Sequence, residues 1–167
     1  MSPTKRFNYP DKAREVLDTW RGRSPDYVIG DWQDPYMQRW WVIPRNPLFN
    51  IYLHKITADD DDRACHDHPW WNVSIVLKGV LHEFRYYKGH RLLKRHRPYF
   101  RFAKTAHRLE IGRKRGELPI AEPVWTLFIT GPRFRDWGFL CRRGWIHWRK
   151  FTNADNPGEI GGGCGED

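Results

Sequence analysis

Short runs of apolar and aromatic residues, each cut off by glycine, proline or charge, recur along the chain from about residue 38. They are MQRWWVI, FNIYLHKI, NVSIVLKG, VLHEFRYY, PYFRFA, VWTLFIT, DWGFLC and GWIHWRKF, all rich in β-branched or aromatic side chains. Such residues suit a pleated, partly buried surface, so each run is expected to form a strand. Eight or more strands with turns at frequent intervals argue for a closed barrel or a sandwich, a mainly β fold. Lys78-Gly79 separates two of the runs and reads as a tight hairpin. Helical spacing is found over residues 10–22, where Pro10 and Asp11 mark a start, Val16, Leu17 and Trp20 form an apolar stripe, and Gly22 is a stop. The segment SPDYVIGDWQDPY reads as loop, and the glycine-rich tail NADNPGEIGGGCGED reads as loose. The expected organisation is an N-terminal helix and loop over residues 1–37, packed on a barrel over residues 38–151, with a flexible tail over residues 152–167.

Composition narrows the setting. A chain of 167 residues is most simply one domain with room for a substantial core. Ten tryptophans need a packed β interior or an aromatic-lined pocket. A net charge of +9 attracts anions, whether small phosphorylated molecules, nucleotides, nucleic acid or acidic proteins. The three cysteines show no paired spacing, so no disulfide is expected and a reducing compartment is implied. No apolar run approaches the length of a membrane span, and the first residues lack the apolar stretch of a signal peptide. The expectation is a cytoplasmic protein with no membrane partner.

The chemistry concentrates in ACHDHPWWNVSIVLKG, residues 64–79. Side chains alternate along a strand, so His66 and His68 share one face and Asp67 points to the other. Two imidazoles so placed can grip one metal ion if a third ligand reaches them. His107, about 40 residues later, is the candidate, because a hairpin and a return strand can bring it alongside. The same alternation sends Trp70, Asn72, Ser74 and Val76 inward, and counting back from His107 does so for Thr105, Arg101 and Tyr99. An inward Arg101 suits a carboxylate or phosphate, with an exposed place on a basic strand as the alternative. His82 either faces the pocket or lies on the surface. DDDD, residues 59–62, lacks the glycine and alternating ligands of a calcium loop and reads as a solvated turn. Basic stretches such as HRLLKRHRPYFR and GRKRGE interleave arginine with aromatics, which suits single-stranded nucleic acid, but no binding motif accompanies them.

From His66 to Gly79 the spacing follows the first motif of the cupin superfamily, G-x5-H-x-H-x3,4-E-x6-G. The leading glycine is absent and Asn72 stands at the glutamate. His107 matches the single histidine of the second motif. The chain resembles cupins over roughly residues 48–150, and more narrowly a group of small cupin-like proteins of bacteria and their phages. That resemblance implies a double-stranded β-helix, or jelly-roll barrel, around one divalent metal held by His66, His68 and His107. It implies iron(II) first, with zinc or nickel as alternatives, and a dioxygenase-like reaction on a small anionic substrate. Asn72, Arg101, Trp70, Tyr99, Thr105 and His82 would then surround the substrate, and pairing through the sheets would give a homodimer. Two other classes stay open: a non-redox cupin acting on or sensing a sugar or nucleotide, and a basic nucleic-acid-binding barrel.

Overall fold

Two antiparallel sheets face each other in the computed structural model, which describes residues 20, 22–60, 64–112, 122–155 and 160–165. Among these the strands are β1 (Tyr27–Gly30), β2 (Pro35–Trp41), β3 (Asn50–Ile56), β4 (Cys65–His66), β5 (Asn72–Lys78) and β6 (Leu81–Arg85). They continue with β7 (Gly89–Leu93), β8 (Pro98–Arg101), β9 (His107–Ile111), β10 (Val124–Thr130), β11 (Gly138–Cys141) and β12 (Gly144–His147), followed by a helical turn, α1 (Trp148–Phe151). One sheet has the order β1-β2-β3-β10-β5-β8 and the other β12-β11-β4-β9-β6-β7. Between β3 and β11 the chain crosses repeatedly from one sheet to the other, staying within a sheet only at the β6–β7 hairpin, which is the arrangement of a jelly roll.

The alternation of side chains explains the layering. Met37 on β2, Ile56 on β3, Val76 on β5, Leu81 on β6, Leu93 on β7, Ile111 on β9 and Val124 on β10 meet between the sheets as one buried cluster. Residues of opposite parity on the first sheet, Trp40, Leu53, Leu77 and Trp125, form a second cluster on its outer face, joined by Trp20. The helix expected over residues 10–22 otherwise lies outside the described residues, apart from Trp20 and Gly22.

Several expectations are corrected. Lys78-Gly79 is no hairpin: β5 and β6 lie in different sheets, and the turn hands the chain from one to the other. Gly79 has φ +87 there, and an added Cβ would stand 2.9 Å from Val124 Cγ2, so glycine is required on both counts. The hairpin comes one strand later, between β6 and β7. The expected loop over residues 24–36 contains β1 and the start of β2, because pairing Tyr27 with Arg39 outweighs the local Pro, Gly and Asp. The WRKF end of the last expected strand is instead α1, capped by the His147 ring, which accepts from Arg149 N.

The cysteines overturn two further readings. Cys141 and Cys164 form a disulfide across 23 positions, which removes the cysteine argument for a reducing compartment. It also pins the described part of the tail, where the Gly161 and Gly163 amides donate to Phe151 O. Cys65 is free. No helix among the described residues is long and apolar enough to cross a membrane.

Candidate metal centre

The strand β4 is only two residues long, yet it holds the site together. His66 pairs with His107 of β9 on one side and with Phe139 of β11 on the other. Beyond β4 the backbone of Asp67 donates to Gly138 O and that of His68 to Ala103 O. Asp67 turns away from the histidines, as parity required. Its carboxylate accepts from Gly138 N at 2.8 Å and Trp145 Nε1 at 3.2 Å, and pairs with Arg135 at 2.8 Å. Arg135 also donates to His68 O, so the segment carrying both histidines is anchored from behind.

The ring centroids of His66, His68 and His107 lie 5.1–5.2 Å apart in a nearly equilateral triangle. One ligand atom from each falls within 4.8 Å of the others. Nitrogens about 2.1 Å from a common ion, and at right angles across it, stand about 3 Å apart. His68 Nε2 and His107 Nε2 are 2.8 Å apart, so the donor set fits a divalent metal.

Carboxylates stand behind two of the rings. Glu83 Oε1 lies 3.0 Å from His107 Nδ1, and Asp60 Oδ2 lies 3.8 Å from His66 Nδ1. A proton held on Nδ1 toward a carboxylate leaves Nε2 free to ligate. Burial pushes the His68 pKa well down, and the neighbouring His107, His66, Arg101 and Arg39 charges add to this. Burial and then Arg101 push His107 down to about 4, against the opposing hydrogen bond to Glu83. Both rings are therefore neutral at pH 7, the form that binds metal. Burial acts to raise the Glu83 pKa, but the His107 hydrogen bond and the Arg101 charge overcome it and hold the carboxyl well below its usual range.

The triad opens on a cavity of about 380 Å³. Its walls include Trp70, Phe128, Trp137, Phe139 and Trp148, with Tyr36, Arg39 and His54 supplying polar groups. Of the residues expected around a substrate, Trp70 lines this cavity, while Asn72, Tyr99, Arg101, Thr105 and His82 are not among its walls. Arg101 is inward and its side chain is fully buried, but its Nε donates to Glu83 Oε1. Its Nη1 donates to Ser74 Oγ at 2.6 Å and Asn72 Oδ1 at 3.2 Å. Asn72 at the motif's glutamate position thus serves an arginine. The Tyr99 hydroxyl accepts from Lys94 N, and Thr105 sits in the turn before β9 with its amide on Phe102 O. His82 faces away from Leu81 and Glu83 and meets His90 on the outer face, 2.7 Å between ring nitrogens.

Sequence reading missed Glu83, Asp60, Tyr36, Arg39 and His54. Alternation through LHEFR places Glu83 on the face of Leu81, and alternation through NIYLHKI places His54 with Ile56, so both signals were present. The solvated-turn reading of DDDD is corrected for its first two residues; the last two lie outside the described residues. Asp60 is buried and accepts from the Tyr36 hydroxyl and from Leu109 N, and Asp59 accepts from Ile111 N. They clamp the loop before β4 to β9.

Two six-stranded antiparallel sheets closed around converging histidines make this chain a cupin fold, a double-stranded β-helix. No protein-family model matches the chain, and no curated protein sequence matches it. It is similar in structure to the DMSP lyase DddQ from Ruegeria pomeroyi DSS-3, with a TM-score of 0.55 and 11% identity, covering 80% of this chain and 69% of that one. It is also similar to the iron(II) form of HppE, with a TM-score of 0.51 and 16% identity, covering 65% of this chain and 57% of that one. At these identities the likeness shows the fold alone.

Proposed function

We propose that the protein is a mononuclear metal-dependent cupin enzyme that acts on a small anionic substrate, with iron(II) at His66, His68 and His107 and chemistry of the oxygenase type. The observation that carries this reading is the convergence of three buried or half-buried imidazoles at the wall of an aromatic cavity, two of them backed by carboxylates. Iron(II) supplies a Lewis acid and a one-electron redox centre with open positions. The chain contributes the rest. Glu83 stands 3.0 Å from the His107 ring and Asp60 places a carboxylate 3.8 Å behind His66. Asp67 and Arg135 hold the segment carrying His66 and His68, and the tryptophans line the cavity. Arg101 and Arg91 offset the Glu83 charge, so three neutral ligands leave a cationic centre that favours an anionic substrate in the open positions. The iron(II) state of HppE supports the choice of metal.

A second reading is favoured by the Tyr36 hydroxyl, which lines the cavity and donates to buried Asp60. A phenol with a carboxylate partner suits proton transfer in a non-redox reaction, with zinc or nickel polarising the substrate. Elemental analysis of the full chain, beside His66→Ala and His107→Ala, separates the readings. About one iron per chain, lost in both variants and accompanied by oxygen uptake, supports the first. Zinc lost in the same way, without oxygen uptake, supports the second. No metal in the wild type after reconstitution overturns both and turns attention to the basic surface, tested by salt-sensitive oligonucleotide binding.

A further inference from the structure

Arg39 is the one arginine or lysine among the described residues that lines the cavity. It stands on β2 between Tyr27 of β1 and His54 of β3. Its Nε donates to His54 Nε2 at 2.9 Å, and its guanidinium lies 4.9 Å over the Tyr52 ring. Among the described residues its guanidinium forms no ion pair with a carboxylate, and its contacts are the neutral His54 ring and the Tyr52 face. A guanidinium carries five N–H donors, and a neutral imidazole uses one without balancing the charge. Arg101, by contrast, is matched by Glu83. A cation left without a counter-charge beside an apolar cavity favours an anion from outside the chain.

The cavity relates this cation to the triad. The His54 ring stacks on Phe128 at 5.1 Å, and Phe128 lies 6.1 Å from the His68 ring, so the arginine's partner and a candidate metal ligand flank one aromatic wall. A single planar fork matches one carboxylate in two parallel hydrogen bonds. The volume, about 380 Å³, is at the small end for ligand pockets.

We infer that Arg39 is the anion-binding residue of this cavity and that its ligand is a carboxylic acid with an apolar, ring-sized body. The carboxylate meets the Nη groups and the body packs against the aromatic walls. This deepens the proposed function and rests on it for the assignment of the reacting end to the triad.

The test titrates the full chain with 3-phenylpropionate and its neutral amide, following calorimetry and tryptophan fluorescence, with metal content measured on the same samples. The wild type is expected to bind the acid about tenfold or more tightly than the amide. Arg39→Met removes that preference and leaves amide affinity unchanged, which also shows that the variant is folded, and Arg39→Lys keeps part of the preference. A preference that survives Arg39→Met, or an acid no tighter than the amide in the wild type, overturns the inference. If the preference disappears in His66→Ala and persists in Arg39→Met, the anion sits on the metal: the inference falls and the metal reading stands. If it disappears in Arg39→Met while the wild type holds no metal, the anion site stands and the metal-dependent enzyme falls.

Discussion

Arg39 and Arg101 are both inward-facing arginines on the first sheet, and their surroundings differ in one respect. Arg101 has no side-chain exposure, and Glu83, Asn72, Ser74 and the Tyr99 carbonyl engage it. Arg39 is half-buried with one neutral partner and an open cavity in front of it. The difference teaches how a barrel this small handles charge. A cation sealed in the interior needs a full counter-charge and polar partners, because the lost hydration is otherwise uncompensated. A cation at the cavity wall keeps some hydration and is available to a ligand. The first builds the scaffold behind His107, and the second faces what enters.

Glu83→Gln tests the sealed side most severely. It strands the Arg101 charge and is expected to lower stability by about 3–5 kcal/mol in urea unfolding. It also replaces the carboxylate 3.0 Å from His107 Nδ1 by a neutral amide and is expected to weaken metal binding by about 10–100-fold in a chelator competition. A loss under 1 kcal/mol would mean that the network is not a buried ion pair in solution.

Cys164→Ser supplies a control that touches neither arginine. Opening a loop of this size costs about 3 kcal/mol in the chain-entropy account, and metal stoichiometry should be unchanged. If the metal is lost as well, instability alone empties the site, and the Glu83 result must be read against that.

On the open side the expected effects are smaller. Burial, followed by the Arg39 charge, pushes the His54 pKa well down, so the fold holds this ring neutral while the unfolded chain protonates it below pH 6.5. The neutral form's stability is fully present above pH 6.5 and is lost as pH falls toward the folded value, by up to about 1.4 kcal/mol per pH unit. His54→Phe should flatten the fall in melting temperature between pH 6.5 and 5; an unchanged slope would place the linkage elsewhere. Arg39→Met should change stability least, by about 1 kcal/mol or less, against a loss of several for Arg101→Met. Equal losses in the two arginine variants would erase the distinction between sealed and open.

Much of the β architecture was legible because alternation is a local property. Strands such as β3, β5 and β10 carry β-branched and aromatic residues at every second position, and the inward parity of Ser74, Val76 and Arg101 followed from counting. The His-x-His pair was legible for the same reason, together with motif spacing. Parity assigned a face but could not say what stood across from it. Arg101 was correctly turned inward, yet its partner Glu83 is 18 residues away on the opposite sheet.

The sequence by itself determined which residues alternate, where turns interrupt them, and that His66 and His68 share a face, since each depends on neighbours a few positions apart. Only the tertiary structure decided that β5 and β6 enter different sheets, that Cys141 meets Cys164, that Asp60 and Glu83 stand behind the rings, and that Arg39 rather than Arg101 faces the cavity. These depend on contacts between distant segments, and the free energy of a buried charge is set by what closes around it after the chain has folded.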